Sequence, residues 1–314
     1  MAHAPAVTII LASRPNAYTG SPLDRAAHRR EDDGWIADAL ESPDTLFAPV
    51  WRSRNLMRDV GCGHPEAVYL TGAAAEALRM AGGPWAFLGM MAGTPLFAID
   101  LSAADDPLPL LPDGIGSFTD LRAVAGQLPP DDASVLAHVR GLMHWRARSR
   151  FCANCGASAE PRSAGHVMFC DNCNTQHFPR TDPAVIMLIT RGDHALLGHS
   201  RRFPNSRMYS TLAGFVEPGE SLEEAVRREV FEESVIRVGG VSYHSSQPWP
   251  FRASIMLGFY GEALSEEITI QADELVDVRW FSRAQMRDSE AHGFSLPRID
   301  SIARRLIEDW IATE

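Results

Sequence analysis

Four cysteines in two CxxC pairs, Cys152-x2-Cys155 and Cys170-x2-Cys173 with 14 residues between the pairs, constrain this chain more than any other feature. Each pair sets two thiolates on one tight turn, and two such turns facing each other supply the tetrahedral sulfur shell that Zn2+ prefers. With four sulfur ligands the site is closed to water and substrate, so its role is structural. The competing readings are weaker: disulfides are disfavoured in a cytoplasmic chain, and a redox CxxC needs no second pair. Cys62 stands alone and is expected to be a small buried or half-buried thiol.

The chain has 314 residues, about twice a common domain, and is 45% hydrophobic and 22% charged, close to the globular average. No apolar run approaches the roughly 20 residues of a membrane span, so no membrane partner is expected. The amino terminus, MAHAPAVTIILASRP, has no basic segment ahead of its apolar stretch; no secretory leader is expected and a cytoplasmic location is. Lys and Arg total 29 against 40 Asp and Glu, a net charge of −11. That excess repels a polyanion and argues against DNA as a partner. A small anionic substrate stays possible, because a divalent cation reverses the sign of an acidic pocket.

Three segments follow. Residues 1–130 hold short strand candidates, Glu66–Leu70 and Trp85–Leu88, and read as an α+β domain in which no chemistry is legible. Residues 131–178 hold a helix through Val135, Val139, Met143 and Trp145, expected to be capped by Asp131 or Asp132, and then the cysteines. In residues 179–314 strands and helices alternate: a hairpin of Ala184–Ile189 and Ala195–Leu197 about Gly192-Asp193, an acidic helix from Ser221 to about Ser234, strands Ser254–Tyr260 and Val276–Phe281, and a C-terminal helix with Ile302, Leu306 and Trp310 on one face.

From Gly214 the chain reads GFVEPGESLEEAVRREVFEESVI. Gly214, Glu220, Arg228, Glu229, Glu232 and Glu233 follow the order G-x5-E-x7-R-E-U-x-E-E, with Val230 at the apolar U. On a helix, Glu229 and Glu233 lie one turn apart on one face, Glu232 sits at its edge, and Leu222, Val226 and Val230 form the buried stripe. Carboxylates crowded on one side repel each other unless a cation lies among them, and such hard oxygen ligands suit Mg2+ or Mn2+ rather than zinc. A solvated helix with Glu223–Arg227 and Glu224–Arg228 pairs is the plain alternative. Six specified residues coincide in one window by chance on the order of once in ten million, which decides against it.

This stretch closely resembles the Nudix box, the signature of hydrolases that cleave a nucleoside diphosphate linked to another group. The resemblance implies an α/β/α sandwich with the box as loop-helix-loop, its carboxylates holding divalent metal on a pyrophosphate. The family has Gly where this chain has Val235; a β-branched residue resists φ > 0, so the helix is expected to exit differently, through Gly239-Gly240. Beyond the box comes Ser246-Gln-Pro-Trp-Pro-Phe-Arg-Ala-Ser254. Its prolines restrict Trp249 and Phe251 to a preformed surface for stacking a flat ring, with core packing as the competing reading. It resembles S-Q-P-W-P-F-P-x-S, the marker of the NADH pyrophosphatase branch, and departs from it at Arg252. That branch also carries an N-terminal domain, Nudix-like in fold, and a four-cysteine zinc ribbon ahead of the box.

Carried over position by position, the resemblance implies divalent metal on the Ala213 carbonyl, Glu229, Glu233 and Glu274, the last resting only on its spacing from the Trp249 segment. It implies substrate contacts from Phe178, Gln247, Pro248, Trp249, Pro250, Phe251, Arg252, Ala253, Ser254 and Ala303. Phe178 stands where relatives often have Tyr, which keeps a stacking ring and loses a hydroxyl. Arg228 would orient the carboxylates, and Glu232 or Glu274 would hold metal or accept the proton from water. The implied reaction is hydrolysis of NAD(H) to NMN(H) and AMP with Mg2+ or Mn2+, and removal of NAD caps from RNA 5′ ends, by a homodimer with a shared pocket. The alternatives are a broader Nudix hydrolase acting on ADP-ribose or dinucleoside polyphosphates, and a non-catalytic nucleotide- or RNA-binding module.

Overall fold

A computed structural model describes residues 15–61, 63–203, 205–270 and 275–313, so Cys62 and Glu274 lie outside the described residues. The chain forms two compact units. One is Ala17–Thr181 together with Pro248–Ser254; the other is Asn16, Asp182–Gln247 and the chain from Ile255 onward.

In the first unit, alternation along the strands sorts side chains to two faces. Strands β1 (Leu46–Trp51), β2 (Arg54–Asp59) and β3 (Pro65–Ala67), then β4 (Trp85–Met91), β5 (Thr94–Asp100) and β6 (Ser117–Thr119), form one sheet in the order β3-β2-β1-β5-β4, with β6 on β2. Phe47, Phe87, Phe97 and Ile99 point to helices α1 (Asp33–Glu41) and α2 (Gly72–Met80). Their neighbours Ala48, Ala86, Leu88 and Ala98 point instead to Val135, Val139, Leu142 and Met143 of α4 (Pro130–Arg148), which follows the short α3 (Leu121–Val124). The predicted helix is therefore present, with a different start. Pro129 is its N-cap and Pro130 its first residue, where a missing N–H costs nothing. Asp132 accepts hydrogen bonds from the Ala67 N–H (2.9 Å) and the Tyr69 hydroxyl (3.0 Å), so tertiary bonding overrides the expected cap. A three-stranded antiparallel sheet, β7 (Glu160–Arg162), β8 (Val167–Cys170) and β9 (Thr175–His177), carries Cys170 and, in the β8–β9 turn, Cys173, while Cys152 and Cys155 lie in the turn ahead of β7.

In the second unit, β10 (Asp182–Arg191) and β11 (His194–Ser200) form the predicted hairpin, with Ile189 opposite Leu196. They join β12 (Leu212–Phe215), β13 (Val238–Trp249), β14 (Ser254–Ala263) and β15 (Leu275–Ser282) in a sheet of order β13-β14-β10-β11-β15, with β12 on β10. Along β10, Val185, Met187 and Ile189 face Ala225, Val226 and Val230 of α5 (Leu222–Ser234). Ile186 and Leu188 face the other way, against Met286 of α6 (Arg283–Arg287) and Ile302, Leu306, Ile307 and Trp310 of α7 (Ile302–Ala312). A run apolar at every position is what a strand between two helix layers requires, each buried side chain contributing roughly 1.5–3 kcal/mol. This is the expected α/β/α sandwich.

Candidate active site

Strand β12 sets Ala213 opposite Ile186 and Gly214 opposite Val185, then delivers the chain to α5. The helix starts in a capping box: the Ser221 hydroxyl accepts from the Glu224 N–H (3.3 Å) and the Glu224 carboxylate from the Ser221 N–H (2.7 Å). Glu224 is thus committed to the cap, while Arg227 donates to the carbonyls of Gly239 and Glu223. The paired, solvated helix weighed as the plain alternative is not what forms.

Arg228 is the hub of the carboxylate face. It donates from Nε to Glu220 (3.0 Å), from Nη1 to Glu229 (2.9 Å) and Glu232 (3.1 Å), and from Nη2 to the Phe215 carbonyl (2.9 Å) and again to Glu220 (2.5 Å). A planar fork spanning three carboxylates and a carbonyl is something lysine cannot reproduce. Hydrogen bonding to Glu220 pushes the guanidinium pKa up, and the same bond holds the Glu220 carboxyl below its usual range. The Glu229 side chain is 12% exposed and Glu233 8%, whereas the Glu232 side chain is 57% exposed. Three carboxylates, Glu220, Glu229 and Glu232, share a single guanidinium here, and Glu220 and Glu229 are largely out of water. Carboxylate oxygens are the donor type that a hard divalent cation takes.

Two backbone positions shape this face. A Cβ at Gly214 would lie 1.8 Å from the Glu229 carboxylate carbon, so Glu229 keeps its present rotamer, bonded to Arg228, only with glycine at 214. At the other end Val235 adopts φ 63, ψ 7, the left-handed conformation a C-cap glycine would supply, with its N–H on the Phe231 carbonyl (2.8 Å). The expected exit through Gly239-Gly240 is overturned: both lie in β13, and the family's helix exit is kept at the cost of strain in a β-branched residue.

The cysteine sulfurs of residues 152, 155, 170 and 173 all lie within 4.8 Å of one another, with 152–173 and 155–170 each at 3.5 Å. Tetrahedral Zn–S bonds of about 2.3 Å need sulfurs roughly 3.8 Å apart, so the set fits zinc. Thr175 Oγ1 contacts Cys173 Sγ (3.1 Å), Asn172 donates to Cys155 (3.5 Å), and His177 Nε2 lies 3.2 Å from Cys152. His177 was not singled out from the sequence, although Cys173-x3-His177 displays it. Such outer partners orient thiolate ligands.

The Ser246–Ser254 stretch divides. Ser246–Trp249 ends β13, residues 250–253 turn, and Ser254 opens β14. Gln247 is fully buried; its amide donates to the Asp300 carbonyl (2.7 Å) and its carbonyl accepts the Ile302 N–H (2.8 Å), holding the start of α7. In the first unit, Trp249 and Phe251 pack edge-on against each other (5.2 Å) and against Tyr18 (6.2 and 5.7 Å). Arg122 lies over the Trp249 ring and Arg140 over the Phe251 ring. The packing reading of these aromatics is the one the geometry displays. Pro250 is buried and accepts from Arg140 Nε (3.2 Å), Pro248 and Ala253 are half-buried, and Arg252 is exposed. Phe178, exposed, belongs to the first unit, and Ala303 is buried in α7 among Leu306 and Ile307.

Family models match the chain in three consecutive stretches: an NADH pyrophosphatase-like rudimentary NUDIX domain at residues 44–145, an NADH pyrophosphatase zinc ribbon domain at 147–178 and a NUDIX domain at 180–304. The chain is 39% identical over 283 residues to the NAD-capped RNA hydrolase NudC of Pseudomonas putida F1, a match covering 90% of this chain and 88% of that one. It belongs to the NADH pyrophosphatase branch of the Nudix hydrolases. The NudC of Stutzerimonas stutzeri is 40% identical over 72% of this chain and 76% of its own. The human NAD-capped RNA hydrolase NUDT12 is 41% identical over 59% of this chain, and the match spans 43% of its length. As in the branch, a rudimentary Nudix domain and a four-cysteine zinc ribbon precede the catalytic sandwich.

Proposed function

We propose that this Nudix hydrolase cleaves the diphosphate of NAD(H) to NMN(H) and AMP, and removes NAD caps from RNA 5′ ends. The observation that carries the reading is the face of α5, where Arg228 holds Glu220, Glu229 and Glu232 together and Gly214 leaves room for Glu229. The names of the relatives, which act on NAD-capped RNA, supply the substrate class. Glu229 and Glu233, with the Ala213 carbonyl and Glu274, would hold Mg2+ or Mn2+. Bound there, the metal supplies positive charge to the phosphate oxygens.

In the reaction the oxygen of water bonds to phosphorus, the bridging P–O bond breaks, and the water proton passes to a carboxylate. Glu232, the exposed member of the face, or Glu274 takes that role. Arg228 fixes the rotamers of its partners, so that they need not reorganise as charge moves. Phe178 and the segment Gln247–Ser254 with Ala303 form the proposed substrate contacts. The division at 130/131 and 178/179, a homodimer and a cytoplasmic location belong to the same reading. No helix among the described residues is long and apolar enough to cross a membrane.

The test is product analysis with Mg2+ or Mn2+ and equimolar NADH, NAD+, ADP-ribose and NAD-capped RNA, alongside Glu233→Gln. NMN(H) with AMP, and 5′-monophosphate RNA, are expected from the wild type, with a loss of about a hundredfold or more in the variant. Intact substrates with the wild type, or full turnover by Glu233→Gln, would overturn the reading. Light scattering of the purified chain tests the dimer.

A further inference from the structure

The outer edge of the first unit's sheet gathers arginines that pair with no carboxylate among the described residues; the Asp24 carboxylate beside them accepts the Ala26 N–H (2.9 Å). β4 is the edge strand, and other elements use its outward backbone groups. Arg146 Nη1 donates to the Trp85 carbonyl, His166 Nε2 lies 2.6 Å from the Phe87 carbonyl, and Asp24 exchanges both backbone hydrogen bonds with Met90. These contacts bring together α4, the turn before β8 and the segment that carries Arg25 and Arg30. Arg25 Nη1 donates to His138 Nδ1, Arg30 Nη2 to the Arg25 carbonyl (3.4 Å), and the His138 and His166 rings lie 6.3 Å apart.

Five basic side chains therefore share one edge in a chain with 40 acidic residues. Among the described residues, no carboxylate lies within 4.0 Å of Arg25, Arg30 or Arg146. Arg30 Nε and Arg146 Nε are buried N–H donors with no acceptor, and Arg146 as a residue is 8% exposed. Asp100 is the acidic group whose field reaches Arg146, and its carboxylate already accepts the Ser102 N–H. The histidines escape the crowding by staying neutral: burial, then the nearby cations, pushes His138 far down, and burial takes His166 to about 4. The arginines have no such escape, since guanidinium does not deprotonate in proteins.

We propose that this edge is an anion site for one phosphate-class oxyanion, held by Arg25 and Arg30 with the His138 N–H behind them. Several acceptor oxygens on one compact dianion match the guanidinium N–H groups of Arg25 and Arg30 that their bonds to His138 and the Arg25 carbonyl leave over. The phosphate is that of free orthophosphate, a mononucleotide or an RNA strand. The site is independent of the hydrolase reading, because none of its residues belongs to the carboxylate face.

The experiment uses the zinc-loaded full chain without Mg2+ or Mn2+. Thermal unfolding and calorimetric titration with inorganic phosphate are compared with chloride at matched ionic strength, for wild type and R25A/R30A. Phosphate is expected to raise the wild-type midpoint above chloride and to bind at least about tenfold more tightly than to the variant. Without phosphate, R25A/R30A is expected to melt at or above the wild-type midpoint, since two uncompensated cations are gone; a merely structural role would lower it. Competition by AMP or by single-stranded RNA then assigns the source. An equal wild-type midpoint in phosphate and chloride, or equal phosphate affinity in the variant, overturns the proposal. R25Q/R30Q, which keeps amide donors and removes the charge, is the second variant if the first loses zinc, and the same loss of affinity is expected.

Discussion

Val235 and Gly214 hold the two ends of the carboxylate face by opposite means. Val235 tolerates a backbone conformation that costs a β-branched residue about 1–2 kcal/mol, because the Ile236 side chain that follows it is wholly buried and fixes the path. Val235→Gly is therefore expected to stabilise the protein by about 1 kcal/mol in urea unfolding, with kcat unchanged. Gly214 is needed for space. Gly214→Ala would place a methyl within 2 Å of the Glu229 carboxylate and is expected to cost about a hundredfold in kcat while circular dichroism stays native. The box spelled out both positions by type, yet only the backbone shows that one is needed for volume and the other is tolerated under strain.

At the scale of elements, α5 was legible because its capping box, apolar stripe and acidic face occupy one continuous window. Its pH dependence follows from Arg228. The Glu220 carboxyl is held below the ordinary glutamate range by the hydrogen bond from Arg228, so the pair adds stability above that range and loses it as pH falls through the lowered value. Glu220→Gln is expected to flatten the acid limb of a stability-against-pH curve below about pH 4.5 and to leave the neutral plateau nearly unmoved. The tie between β13 and α7 was not legible, since Gln247 and Ile302 are 55 residues apart and no local pattern links them. Gln247→Leu would strand a buried N–H and a buried carbonyl and is expected to destabilise by about 3 kcal/mol in chemical unfolding.

At the scale of the whole molecule, the catalytic sandwich and the ribbon could be read from motifs, whereas the N-terminal sheet could not. Its centre is a parallel pairing of β1 with β5, Leu46 opposite Leu96, and such long-range partners leave no trace in local periodicity. The ribbon shares that sheet's interior: Ala159 and Met168 pack on one face and Ala164 on the other. Stripping zinc is thus expected to lower the melting midpoint of the first unit by more than about 5 °C, read by calorimetry beside a colorimetric zinc assay, rather than to fray the ribbon alone. The chain passes between the two units four times, and Trp249 and Phe251 return to the first one between β13 and β14. Genetic truncation before Asp182 would therefore not liberate a self-contained catalyst: it would strip Tyr18, Leu121 and Leu136 from two aromatic rings and leave an adhesive, aggregation-prone surface on the fragment.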